Sequence, residues 1–244
     1  IGLYDILSEP LAERLAEYLS VGDLVNFSFV CREIHDFVHS ECMIWWIRPE
    51  NLKMYLADEI GARAWPQISF KFKIRGTQSV PRWAQYLPNV FLSLDLSECE
   101  NVSDVSALGN VHTLDLCYCY NVTDVSALGK VHTLDLTDCK NVSDVSALGK
   151  VHTLDLSECE NVSDVSALGN VHTLYLCDCE NISDVSALGN VHTLDLTDCK
   201  NVSDVSALGN IHTLNLCHCE KVSDVSALGN VHTLYLCDCE NISD

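Results

Sequence analysis

From residue 91 onward, apolar and polar positions repeat in a fixed frame of 20 residues. Within residues 131–150, Leu134 and Leu136 alternate with Thr133, Asp135 and Thr137, the two-residue period of a short strand buried on one face. Val131, Val142, Val145 and Leu148 complete the apolar set as the chain turns back. Asp144 is placed to cap a tight turn over Val145–Leu148, and Gly149 to end it with positive φ. Four residues are too few for a lasting α-helix, which predicts a 3₁₀ turn or an irregular arc. One coil alone cannot bury its apolar side. The pattern therefore predicts stacked coils whose strands form a single parallel sheet, about 4.8 Å apart.

Seven of the eight copies carry Asp-Val-Ser-Ala-Leu-Gly in register, from Asp104–Gly109 to Asp224–Gly229, and the eighth breaks off at Asp244. Seven steps at sheet spacing predict a solenoid roughly 34 Å long over residues 91–244. Residues 1–46 read as helical. Leu11, Leu15, Tyr18 and Leu19 lie at helical spacing behind Ser8 and Pro10, and Asp23 caps a second helix carrying Leu24, Phe27, Val30, Ile34 and Phe37. On the residues alone, such a pair is a cap for the solenoid's open end. Residues 47–90 read as a linker and N-terminal solenoid cap, with helical composition over Pro49–Ala64 and strand alternation over Ile68–Ile74. Pro81, Trp83 and Pro88 predict an irregular first coil, and Val90 or Phe91 opens the first repeat strand. The missing initiator Met and the break at Asp244 read as a chain trimmed at both ends.

Val-x-x-Leu-x-Leu-x-x-Cys-x-x-Val, as in residues 131–142, is similar to the leucine-rich-repeat consensus, with Cys139 in the slot often held by Asn. Cys-x-x-Val-Ser-Asp resembles the cysteine-containing class found in F-box proteins, and Asp-Val-Ser-Ala-Leu resembles the short-arc repeats of internalins. The head resembles an F-box at Leu7, Leu11, Leu15, Tyr18-Leu19, Asp23-Leu24 and Val30-Cys31-Arg32, with departures at Ser8 and Ile34. Similar uniform arrays behind such heads occur in large DNA viruses. This resemblance implies an α/β repeat fold: a leucine-rich-repeat solenoid with short 3₁₀ or irregular arcs, behind a small helical F-box-like domain. It also implies a non-enzymatic substrate receptor of a Skp-cullin-F-box type ubiquitin ligase. Leu7, Pro10, Leu11, Leu15, Leu19 and Val30 would dock a Skp-type adaptor and so the cullin complex. The repeat face would hold a protein substrate. A plain interaction scaffold with a helical cap, and an internalin-like adhesin, are the alternatives.

Charge narrows the choice of partner. Of the net −21, residues 1–90 contribute −2 and residues 91–244 contribute −19. That field repels nucleic acid and anionic membranes and favours a basic protein. No apolar run approaches membrane-spanning length, and the first residues lack the pattern of a signal peptide. Eight of the 14 cysteines, Cys99 to Cys239, fall at one repeat position, which reads as a column of buried thiols rather than a disulfide framework. Asn-Val/Ile-Ser/Thr sequons at Asn101, Asn121, Asn141, Asn161, Asn181, Asn201 and Asn241 would place a glycan on nearly every coil of a secreted chain. Both features predict the cytoplasm or nucleus.

Three columns invite chemistry. The histidines from His112 to His232, one per coil, supply no closed ligand set and read as copied repeat residues. Cys217, Cys219, Cys237 and Cys239 mimic a four-thiolate zinc site, but strand alternation turns Cys217 out and Cys219 in. Asp115, Asp135, Asp155 and Asp195, continuing from Asp95, form an outward acidic column with no nucleophile or oxyanion hole beside it, so it reads as a solvated face. No cofactor or metal is expected. The copies differ mainly on outward and turn positions: Tyr175, Asn215 and Tyr235 in the Asp135 slot, Tyr118 and His218 in the Asp138 slot, and Tyr120 in the Lys140 slot. These residues, with the four aspartates, form the predicted substrate face. Residues 131–149 recur at 191–209 and residues 171–184 at 231–244, so duplication of a 60-residue block accounts for part of the pattern.

Overall fold

From Leu136 to Val151 every third residue is apolar or cysteine, and the chain turns at that interval. Backbone N–H groups of Cys139, Val142, Leu148 and Val151 each donate to the carbonyl three residues earlier, at 2.9–3.0 Å. A three-residue turn returns each of these side chains to the same inward side, so one coil closes around its own apolar residues. The computed structural model describes residues 70–73, 92–99 and 101–242. The candidate adaptor residues Leu7, Pro10, Leu11, Leu15, Leu19 and Val30 lie outside them, as do Pro49–Ala64 and the Pro81–Pro88 stretch.

Among the described residues, nine strands line up in chain order in one parallel sheet. They are β1 Phe70–Lys73, β2 Leu92–Asp95, β3 Thr113–Asp115, β4 Thr133–Asp135, β5 Thr153–Asp155, β6 Thr173–Tyr175, β7 Thr193–Asp195, β8 Thr213–Asn215 and β9 Thr233–Tyr235. From β2 onward the register offset is one repeat, as in Leu114 beside Leu134 and Leu134 beside Leu154. The strand expected within Ile68–Ile74 is β1, which pairs with β2 and adds a ninth member to the repeat sheet. The first repeat strand is described from Leu92, and Val90 and Phe91 lie outside the described residues.

The arcs are single 3₁₀ turns, such as Ser146–Leu148. Asp144 does act at their start: its Oδ1 accepts the Ser146 N–H at 2.9 Å. The expectation for Gly149 was wrong. Its φ is −62°, an ordinary right-handed value. Glycine is needed there for space, because a Cβ would lie 2.2 Å from the Ala167 carbonyl oxygen of the next coil. The left-handed position falls elsewhere, on the residue before the column cysteine.

Leu134, Leu136, Cys139, Val142, Val145, Leu148 and Val151 are all 1% exposed or less, and the described coils repeat that set from Leu94 to Val222. Burying one such leucine is worth about 2 kcal/mol, so a coil gains its stability from neighbours above and below. Two side-chain ladders tie the coils together. The Cys159 thiol donates to the Leu136 carbonyl at 3.1 Å, and the same bond recurs from Cys119 to Cys239. The thiol thus does in a small buried slot what an amide would do in a larger one. On the outside, Asn161 Nδ2 donates to the Lys140 carbonyl at 2.7 Å, a bond repeated at Asn141, Asn181, Asn201 and Asn241. In the last coil Val231, Leu234, Leu236 and Ile242 are only partly buried, since no described coil lies beyond them.

Candidate functional site

The strand face carries Thr133, Asp135 and Thr137 and their counterparts, bordered by a ridge where the chain leaves the sheet. The outward aspartates are not free acids. Oδ1 of Asp115, Asp135, Asp155 and Asp195 accepts the backbone N–H two residues on, at 2.9–3.0 Å. Each carboxylate therefore closes the turn that ends its strand, and each is half-buried. Burial raises the Asp155 carboxyl, partly offset by the Ser157 hydrogen bonds. The expected solvated acidic face is thus a row of turn caps. Their negative charge still faces the strand surface, but their orientation is fixed by the fold.

Asn215 keeps that structural role. Its Oδ1 accepts the Cys217 N–H at 3.1 Å, and its Nδ2 donates to Asp195 Oδ2 at 3.2 Å, so it stitches two coils. Tyr175 and Tyr235 cannot accept in this way, and they place a ring on the face instead. Tyr175 is half-buried between Asp155 and Asp195, its register partners. Tyr235, in the last described coil, is 49% exposed.

The ridge is set by backbone geometry. Glu98, Tyr118, Asp138, Glu158, Asp178, Asp198, His218 and Asp238 all have φ between 54° and 61°. The left-handed turn aims each N–H at the next coil, as in Asp138 N–H to the Ser157 carbonyl at 2.8 Å. It also sets the side chain on the ridge, and here the copies vary in residue and in exposure. Tyr118 is 40% exposed and meets Tyr120 edge to face, with ring centroids 6.3 Å apart. Beside this pair Asp138 is only 6% exposed. Its Oδ1 has no hydrogen bond and lies 3.4 Å from Lys140 Nζ. Burial and then the Asp138 carboxylate raise the Tyr120 phenol. Lys140 in turn donates to Glu160 Oε1 at 2.8 Å, and Lys200 lies 3.5 Å from Glu180. His218 Nε2 lies 3.8 Å from Asp238 Oδ2 on the same ridge, a pair that is ionic only when the imidazole is protonated.

At the other end of the strands the histidines stack. From His112 to His212, neighbouring rings are 4.6 Å apart and tilted by 10–11°, and His232 continues the column at 33°. From His112 to His212 each Nδ1 is within 3.2–3.3 Å of the next threonine's hydroxyl, which fixes the ring plane. Burial and then the charge of His112 lower the pKa of His132. Parallel rings at this spacing cannot point two nitrogens at one ion.

The four-cysteine cluster divides as strand alternation predicts. Cys219 is fully buried and its thiol bonds the Leu196 carbonyl, whereas Cys217 lies on the outward side. Cys217 is nevertheless 9% exposed, because Cys237 of the next coil covers it. The described residues contain no group of three or more His, Cys, Asp or Glu placed to hold a metal. Sequence reading found the tyrosines, because they break the repeat. It missed the burial of Asp138, since that depends on a tyrosine pair one coil away.

No family model matches the sequence, and a comparison with curated proteins finds no match. Solved structures do match. Internalin C2 of Listeria monocytogenes strain 4b F2365 is 24% identical with a TM-score of 0.53, over 69% of this chain and 80% of that one. The leucine-rich-repeat domain of the type III effector XopL is 12% identical, TM-score 0.43, over 88% and 94%. The functional domain of InlJ from Listeria monocytogenes, described as including a cysteine ladder, is 16% identical, TM-score 0.34, over 72% and 50%. The internalin C2 match agrees with the parallel sheet and regular 3₁₀ arcs, and the described array has the fold of a leucine-rich-repeat solenoid.

Proposed function

We propose that the repeat array is a protein-interaction module whose strand face and ridge bind a basic protein. One observation carries this. Tyr118, Tyr175 and Tyr235 break the repeat by placing aromatic rings on a predominantly acidic surface, where Lys140 and Lys200 are paired with glutamates. Rigid aromatic anchors within a complementary field are what protein interfaces use. The chain catalyses nothing on this reading. Proximity labelling in cells, comparing the natural chain with Tyr175→Ala and Tyr235→Ala, tests it. The variants should lose a common set of basic proteins, with affinity reduced on the order of 30-fold for a true anchor. Unchanged labelling by both variants would sink the proposal.

The ligase role extends this reading and rests on the resemblance of residues 7–32 to an F-box. Full-length chain should co-purify with a Skp-type adaptor and cullin, and Leu11→Asp with Leu15→Asp should abolish the complex. No complex at micromolar concentration leaves the interaction module without a ligase link. A cytoplasmic or nuclear location belongs to this reading, because the column thiols from Cys119 to Cys239 are used as donors to backbone carbonyls. An internalin-like adhesin is the second reading, favoured by the fold match to internalin C2. Glycans on the sequons of the natural protein would decide for it.

A further inference from the structure

The outward position two residues past each strand's last residue holds Cys117, Thr137, Ser157, Cys177, Thr197, Cys217 and Cys237 in successive coils. Only Cys217 and Cys237 are cysteines in adjacent coils. They follow the register pair Asn215 and Tyr235, so they leave β8 and β9 side by side on the same face. The Cys237 N–H donates to Cys217 Sγ at 3.2 Å, which fixes that sulfur against the neighbouring coil. Hydrogen-bonded parallel strands such as β8 and β9 lie about 4.8 Å apart, within the Cα separations that a disulfide spans. The column cysteines Cys219 and Cys239 do not compete from this face, since their thiols point to the Leu196 and Leu216 carbonyls.

We propose that Cys217 and Cys237 form a dithiol site for thiol–disulfide exchange, taking a small disulfide such as oxidised glutathione and closing into a disulfide that clips the last coil to its neighbour. The chemistry is ordered by exposure. Cys237 is exposed and Cys217 is covered by it. The Cys237 thiolate attacks one sulfur of the small disulfide, forming a mixed disulfide and releasing one thiolate. Cys217 then gives its proton to water and attacks Cys237 Sγ, releasing the second thiolate. Two protein thiols are oxidised, one small disulfide is reduced to two thiols, and no other reactant is needed. The clip bridges the coil whose apolar residues are least covered, and that coil carries Tyr235. Oxidation therefore holds Tyr235 in place beside Asn215, whichever partner the face binds.

The full chain, equilibrated in glutathione buffers from reduced to mostly oxidised and then blocked with an alkylating agent, tests this directly. Trypsin cuts after Lys200 and Lys221, separating Cys217 and Cys237 into peptides 201–221 and 222–244. In oxidised buffer these peptides should appear joined, two hydrogens lighter than their sum, and reducing agent should part them. Cys219→Ser and Cys239→Ser should keep the joined species, while Cys217→Ser and Cys237→Ser should lose it. Amide exchange across residues 231–242 should slow on the order of 100-fold in the oxidised chain, the effect of closing a 20-residue loop. Persistence of the link in Cys217→Ser or Cys237→Ser, or only glutathionylated Cys237 without a link, overturns the proposal. Circular dichroism of each serine variant, compared with the natural chain, separates lost chemistry from lost fold.

Discussion

Gly149 and Gly229 occupy the same place in the same hexapeptide, yet replacing each by alanine should have opposite effects. Both have right-handed backbone angles, φ −62° and −60°, so alanine is locally acceptable at either. At Gly149 the new Cβ would lie 2.2 Å from the Ala167 carbonyl oxygen, about 1 Å inside a normal contact. That oxygen belongs to backbone, so a side-chain rotation cannot relieve the clash. The two coils must separate locally, loosening apolar packing on both sides, and the cost should be about 2–3 kcal/mol. At Gly229 nothing among the described residues lies within 4 Å of an added Cβ. There alanine restricts only the unfolded chain and should stabilise by about 0.5 kcal/mol. Urea unfolding followed by circular dichroism should show a lower midpoint for Gly149→Ala and an equal or higher one for Gly229→Ala. Amide exchange should locate the Gly149 effect in coils 131–170. Equal effects at the two sites, or stabilisation at Gly149, would refute the steric account.

Two further outcomes follow from the ladders and the ridge. Because His132 has a folded pKa below its ordinary 6.5, the folded state binds fewer protons there, so stability should be full above that value and fall as pH drops through the folded one. Like-charge repulsion from His112, whose ring is stacked 4.6 Å away, adds to that cost at His132. Asp144 and its counterparts, whose carboxyls are lowered by hydrogen bonds from the following serine, should give a separate loss below their ordinary 3.8. Urea midpoints from about pH 8 to about pH 3 should thus fall in two steps, and a flat profile through the histidine range would contradict the ring stack. On the ridge, Glu158 is exposed at φ 60°, so Glu158→Asn should raise the unfolding free energy from urea titration by about 0.5–1 kcal/mol while Glu158→Val lowers it. Similar midpoints for the two variants would show that the left-handed backbone carries no strain.

Several parts of this picture were legible from residues alone. The alternation of Leu134 and Leu136 with polar neighbours gave the strand, and the constant 20-residue frame gave an in-register parallel stack. The tyrosines announced themselves because every other copy of their position is polar. The outward aspartates misled, because sequence shows that Asp135 leaves the core but not that the Thr137 N–H curls back to meet it. Gly149 misled for a related reason. A glycine after a tight turn usually signals positive φ, and only the neighbouring coil shows that its missing Cβ makes room instead.

The sequence by itself determined what one coil must do: which side chains turn inward, where the strand lies, and that coils must stack to bury them. Those features follow from periodicity, which is local and survives in any register of copies. The tertiary structure decided everything that depends on a residue 20 positions away. It brought Asp138 under Tyr118 and Tyr120, set the histidine rings face to face, gave Asn215 its second partner, and put Cys217 against Cys237. It also reassigned the glycine from bending the chain to letting two coils touch. Identical copies have identical local preferences, so only their neighbours can give them different roles.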